Sequence, residues 1–144
     1  MLRVIDANLN RIGEGLRVLE DIARLVLDDA VLSQQLKSMR HGMVKVDLLL
    51  ERQFLQARDS EGDVGVNIEA SGEEKHKDLG ATVVANARRV QEALRVMEEL
   101  AKNPGVDLDP DSFKQARFDL YTIEKELFAK LVSLNMIKGE SGAG

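Results

Sequence analysis

The chain predicts an all-α fold, a four-helix bundle of two pseudo-symmetric helical hairpins joined by a long loop containing Gly and Asp. Three observations carry that expectation. The segment ANLNRIGEGLRVLEDIA at 7–23 is written again at 85–101 as ANARRVQEALRVMEELA, with nine identities in 17 positions at a constant offset of 78. Four stretches keep a helical apolar period, and Gly, Pro and Asp punctuate them where helices must start or stop. Aromatic residues are only 3% of the chain and Trp is absent, so the core has to be aliphatic.

The first helix is expected over 5–27 and the second over 29–53, with a tight acidic joint at Asp28-Asp29. A third over 78–102 is stopped by Asn103-Pro104-Gly105, a strong helix terminator. The fourth follows Pro110, where Asp109 or Asp111 can cap its start, and runs to 137. The second and fourth helices match more weakly, at an offset of 77: Leu36-Lys37 with Phe113-Lys114, Arg40 with Arg117, Asp47 with Glu124, and Leu50 with Leu127. The expectation is one helical domain over 1–138 with an internal duplication, and a flexible tail over 139–144. The connection over 55–77 has no helical period and carries three Gly among acids. Irregular connections of that length inside a domain are more often functional than idle. Within it, 64–68 is expected to be briefly extended.

At 144 residues the chain can bury a single core. The balance of 44% hydrophobic and 31% charged residues excludes disordered and fibrous classes. A net charge of −5 argues against a general nucleic-acid or anionic-membrane partner, while leaving room for a local basic pocket that binds a small phosphate. With no Cys there is no disulfide, thiolate metal site or cysteine nucleophile. The start MLRVIDANLN has no apolar leader and no run of 18 apolar residues occurs, so a cytoplasmic location is expected.

Polar identities inside the repeat point to the chemistry. At 100° per residue Asn8 falls at the centre of the apolar arc of the first helix, and Arg11 falls inside that arc beside Gly15. Asn86 and Arg89 take the matching places on the third helix, with Ala93 replacing Gly15. A buried polar group left unpaired costs about 1–3 kcal/mol. These four must therefore be satisfied by each other, by carboxylates or by a ligand. One reading is a network that fixes helix register, drawing on Arg40 with Asp47 and Arg117 with Glu124. The other is an Arg-lined cavity that grips phosphate through guanidinium forks, with Asn reading the edge of a heterocycle. Glu14/Glu92, Arg17/Arg95 and Glu20/Glu98 also repeat, and a solvated face is the expectation for Arg17 and Arg95.

The loop carries Arg58-Asp59-Ser60-Glu61-Gly62-Asp63-Val64-Gly65. Gly62 and Gly65, flanking Val64, permit turns that approach a phosphate. Asp59 and Asp63 are suited to Mg²⁺ held through waters, and Arg58 offers a phosphate fork. An acidic Gly turn without chemistry is the plainer alternative. No Gly-Lys-Ser/Thr follows, so this is not a Walker loop, and the spacing does not match an EF-hand. His41 and His76 are expected to be bystanders, and Ser60 has no neighbouring base.

RVIDANLNRIGEGLRVLED, ARDSEGDVG and VVANARRVQEALRVMEE, taken together, resemble the alternative hydroxymethylpyrimidine-phosphate kinase family across 3–137. In that family the domain often precedes thiamine-phosphate synthase in a fused chain and also occurs alone. The resemblance implies ATP-dependent phosphorylation of hydroxymethylpyrimidine phosphate to the diphosphate in thiamine biosynthesis, with ATP and Mg²⁺. Joined to the residues above, it implies substrate contacts from Asn8, Arg11, Asn86, Arg89, Arg117 and Arg40. It likewise implies catalytic roles for Arg58, Asp59 and Asp63, the last two as metal ligands, and a phosphate loop at Gly62, Val64 and Gly65. The implied partners are the small pyrimidine phosphate, thiamine-phosphate synthase and a second copy in a homodimer. The chain has no room for a synthase barrel, so it is expected to work alone or to be an excised domain. The competing expectation is a non-catalytic module that binds pyrimidine phosphate or dimerises.

Overall fold

The computed structural model describes residues 1–66, 68 and 75–135, and all regular structure among them is helical. Five α-helices follow one another: α1 (Leu2–Asp21), α2 (Ala30–Val44), α3 (Leu48–Ala57), α4 (Leu79–Ala101) and α5 (Pro110–Ser133). The main packing pairs are α4 on α5, α1 on α4 and α1 on α2. The core is aliphatic as expected, centred on Ile12, Leu16, Leu19, Leu94, Met97, Leu120 and Leu127, all of them fully buried.

Local chemistry explains each boundary, and several differ from the sequence expectation. The first helix does not stay α-helical to residue 27. After Asp21 it widens into a π-helical turn over Ile22–Val26, with the Leu27 N–H on the Ile22 carbonyl at 3.0 Å. Asp28 then adopts a left-handed conformation (φ 50°), which reverses the chain. Asp29 caps α2, its Oδ1 accepting from the Leu32 N–H at 2.9 Å, and its other oxygen takes the Lys130 ammonium of α5. The second expected helix is two helices. Asp47 has an extended backbone and its carboxylate accepts from the Leu50 N–H at 2.8 Å, so it starts α3 as an N-cap. Asp47 is therefore not the counterpart of Glu124, which accepts from Gln91 at 2.7 Å. Asp78 caps α4, and Asp109 caps α5 with Pro110 in its first turn. The fourth helix stops at Ser133. Residues 136 and 137, where it was expected to end, and the tail 139–144 lie outside the described residues.

Two ion pairs replace the expected register network. Arg40 of α2 grips Glu20 of α1 through Nε (3.2 Å) and Nη2 (3.0 Å), and Arg117 of α5 grips Glu98 of α4 at 3.1 Å. Glu20 and Glu98 are repeat counterparts and both are buried. Arg117 also donates from Nη1 to the Tyr121 hydroxyl oxygen at 3.4 Å and lies over the Phe118 ring at 5.0 Å, while its Nε is buried without a partner among the described residues. Arg40 and Arg117, expected to contact substrate, thus tie neighbouring helices together. Arg17 and Arg95 lie on the exposed face, as expected.

Two predictions follow from this packing. A Cβ on Gly15 would overlap Val90 Cγ2 of α4 and sit 3.2 Å from the Asn86 carbonyl oxygen. Val90 is fully buried and β-branched, so it has nowhere to turn. Gly15→Ala should lower stability by about 1–3 kcal/mol through overpacking, despite a helix-propensity gain of about 1 kcal/mol. A rise in the urea midpoint would contradict this. Glu98 is held below its ordinary pKa, chiefly by the hydrogen bond from Arg117 and then, against desolvation, by the charges of Arg117, Arg95 and Lys102. The folded-state value is lower than the unfolded one, so this contribution is complete above the ordinary carboxylate range and fades as pH falls below about 4. Glu98→Gln should lower the melting temperature at neutral pH and flatten its decline in acid, and an unchanged melting curve at both ends would refute the pairing's role.

Candidate functional site

Helix α1 presents one edge to two adjoining grooves. The first, of about 480 Å³, lies between α1 and α4 and is lined by Asn8, Arg11, Glu14, Arg89, Glu92, Ala93 and Val96. The second, of about 640 Å³, lies between the start of α1 and the loop after α3. Its walls include Arg3, Asp6, Arg11, Arg58, Asp59 and Asp63. Asn8 and Arg11 belong to both walls. The close approach of α1 and α4 at Gly15 brings the repeat-matched pairs Arg11/Arg89 and Glu14/Glu92 into one groove.

Asn8 is buried and fully engaged. Its Nδ2 donates to the Val4 carbonyl at 2.8 Å, and its Oδ1 accepts from Arg11 Nη1 at 3.3 Å. Asn86 makes the matching bond, Nδ2 to the Thr82 carbonyl at 2.9 Å, but it lines neither groove. The repeated Asn thus serves its own helix first, and in the α1 copy it also orients Arg11. Arg11 and Arg89, expected inside the apolar arc, are exposed at the groove rim instead. Among the described residues Arg89, Glu14 and Glu92 make no hydrogen bond or ion pair, so their charged groups face the groove unpartnered.

The loop is docked onto α1. Arg58 donates from Nε to Asp6 Oδ2 at 2.6 Å and from Nη2 to Asp6 Oδ1 at 2.9 Å, a bidentate pair that holds the Asp6 carboxyl below its ordinary pKa. Arg3 adds a bond from Nη2 to the Asp59 carbonyl at 3.4 Å. Asp59 Oδ1 accepts from the Gly62 N–H at 2.8 Å, and Asp63 Oδ1 accepts from the Gly65 N–H at 2.9 Å. These side-chain bonds fold the segment into consecutive turns. Val66 and Ile68 donate to the Asp63 and Gly65 carbonyls, so residues 64–66, expected to be extended, are turned instead, and residue 67 lies outside the described residues. A Cβ on Gly62 would push the Asp59 carboxylate out of its present position in the turn. Gly62, Gly65 and the exposed Val64 do not line either groove, whereas Arg58, Asp59 and Asp63 do.

Asp59 and Asp63 are the residues that could hold a metal, and only with ligands from outside the chain. No cluster of three or more Asp, Glu or His side chains suited to a metal occurs among the described residues. Asp59 and Asp63 each keep one oxygen outside their turn bonds and share a groove with guanidinium groups. Mg²⁺ commonly takes one or two carboxylates and completes its shell with waters and substrate phosphates. His41 is exposed, and His76 contacts Thr82 Oγ1 at 3.0 Å, away from both grooves.

Residues 3–126 match the ThiD2 family. The chain belongs to the ThiD2 family. Among curated proteins this ThiD2 chain is 37% identical over 136 residues to a thiamine-phosphate synthase of Rhodopirellula baltica, covering 94% of the chain and 36% of that protein. It is 36% identical over 127 residues to the thiamine-phosphate synthase of Nostoc punctiforme, covering 87% and 34%. With that of Prochlorococcus marinus it shares 38% identity over 122 residues, covering 85% and 33%. The chain thus spans about a third of the length of these relatives. No solved structure matches it. No helix among the described residues is long and apolar enough to cross a membrane.

Sequence reasoning missed Asp6 and Arg3. Their one signal was a break in the repeat, since the α4 counterparts are Val84 and Ala81. If the Arg58–Asp6 pair docks the loop, Asp6→Asn should speed hydrogen exchange at the Gly62 and Gly65 amides and leave α4 and α5 unchanged. Unaltered exchange would mean that the loop's own turns suffice.

Proposed function

We propose that this ThiD2 chain catalyses ATP-dependent phosphorylation of hydroxymethylpyrimidine phosphate to the diphosphate, as a step of thiamine biosynthesis. The observation that carries this reading is Arg11, one guanidinium shared by the walls of two adjoining grooves, each with further Arg and carboxylate groups. Phosphoryl transfer between two phosphorylated ligands requires two anion-binding compartments that meet at a cation. It asks little else of a protein beyond positioning and charge stabilisation. The names of the relatives support the same biosynthesis.

In this reading an oxygen of the acceptor's phosphate dianion attacks the γ-phosphorus of ATP. The bond from that phosphorus to the β–γ bridging oxygen breaks, and ADP leaves with the oxygen. No proton has to move, so no general base is required. Asn8 fixes the Arg11 guanidinium, and Arg11 and Arg89 hold the acceptor phosphate. Mg²⁺ would take Asp59 and Asp63 and supply neutralisation of the polyphosphate charge. Arg58 keeps the loop on α1 through Asp6. We further propose that the two repeats are pseudo-symmetric arms of a four-helix bundle, α2 and α3 together forming one arm. Matching Arg40–Glu20 and Arg117–Glu98 pairs support that view.

Incubation with ATP, Mg²⁺ and hydroxymethylpyrimidine phosphate should yield the diphosphate and ADP by mass spectrometry. Arg11→Ala and Arg89→Ala, folded by circular dichroism, should each lose about a hundredfold or more in kcat/KM, the scale for removing a group that stabilises transition-state charge. Full activity in both would remove this placement. Binding of the pyrimidine phosphate without any ATP consumption would favour a carrier module instead.

A further inference from the structure

We infer that the duplication is functionally broken: each chain holds one reaction site, on the α1 face. The polyphosphate donor occupies the α1–loop groove and the monophosphorylated acceptor occupies the α1–α4 groove. This assignment rests on the kinase reading above and adds to it where each ligand sits and how many the chain takes.

The repeats are alike from residues 7 and 85 onward and diverge immediately before. Arg3 and Asp6 on α1 correspond to Ala81 and Val84 on α4. Asp6 carries the bidentate pair with Arg58, and Arg3 binds the Asp59 carbonyl, so the loop with its two carboxylates is fastened to α1 alone. The corresponding place on α4 is occupied by α5. There Val84 lines a cleft of about 420 Å³ with Tyr121, Phe128 and Ala129, and the charged residues there are Glu124 and Lys125. A triphosphate would meet one cation in that cleft. On the α1 side it meets Arg3 and Arg11, with Arg58 already paired to Asp6, and two loop carboxylates that each retain an oxygen for a metal.

The two α1 grooves differ in the same sense. The α1–loop groove is the larger, about 640 against 480 Å³, and only its walls contain the loop carboxylates. The α1–α4 groove ends on Ala93 and Val96, with Glu14 and Glu92 beside Arg11 and Arg89. That set suits a compact phosphorylated aminoheterocycle. Carboxylates accept from its amino group, guanidiniums hold its phosphate and small apolar groups face its ring. Arg11 is the cation common to both, which puts the transferred phosphoryl group beside it.

Isothermal titration of the full chain separates these assignments without turnover. The probes are β,γ-methylene-ATP with Mg²⁺ and hydroxymethylpyrimidine phosphate alone. The parent should take one equivalent of each. Arg89→Ala should weaken the pyrimidine phosphate by about tenfold or more, the loss of about one charge-assisted bond, and leave the ATP analogue unchanged. Asp6→Val, which writes the α4 residue into α1, should weaken the analogue by a similar factor and leave the pyrimidine phosphate unchanged. Arg58→Leu gives the same reading if Asp6→Val fails to fold. Two equivalents of either ligand, a reversed pattern, or equal weakening of both ligands by each variant would overturn the assignment while leaving the kinase reading intact. Failure of the parent to bind either ligand would overturn both.

Discussion

Helices α1 and α4 lie so close at Gly15 that residue 15 has no room for a side chain, and the rest of the site depends on that approach. Val90 and the Asn86 backbone fill the space a Cβ would need. Because the backbones meet there, residues within about one turn of the contact on both helices share a single groove. Arg11 and Glu14 therefore stand opposite Arg89 and Glu92 instead of on separate surfaces. A tight crossing brings the matched charges of a duplicated helix together on one surface.

The polar identities of the repeat divide into two kinds of work. Glu20 and Glu98 are buried and paired with Arg40 and Arg117, which brace α1 against α2 and α4 against α5. Breaking such a pair leaves a desolvated charge, so both partners are retained together. Arg11 and Arg89 are exposed at the groove rim. Asn8 joins the two kinds, since it is buried on its own helix and reaches outward to orient Arg11. The loop adds what the repeat lacks, Asp carboxylates held in tight turns, and the Arg58–Asp6 pair fixes it to one copy only.

Helical content, the duplicated face and most groove residues were legible because the apolar period and the repeat are local properties of the chain. Arg11 and Arg89 line the groove between α1 and α4 from its exposed rim, not from inside the apolar arc where the wheel put them, and Arg58, Asp59 and Asp63 line the groove beside the loop. Features set by distant partners were not legible. Asp6 and Arg58 are 52 residues apart in sequence, and nothing local announces their pairing. Glu20 falls at about 120° on the wheel, at the edge of the apolar arc next to Leu9, so its repetition could have marked it as buried. The break at Asp47 was hidden because Asp serves equally as a cap or as a salt-bridge partner, and the choice depends on the backbone around it. Asn86 lies outside the grooves because the helices cross at Gly15, a tertiary fact that a helical wheel cannot contain.

The most direct test of this account is a crystal structure of the chain with hydroxymethylpyrimidine phosphate, β,γ-methylene-ATP and Mg²⁺ bound together. The account predicts one acceptor between α1 and α4, one nucleotide against the loop, and the acceptor phosphate and γ-phosphate both within hydrogen-bond distance of Arg11. Ligands bound elsewhere, or phosphates that both avoid Arg11, would contradict it.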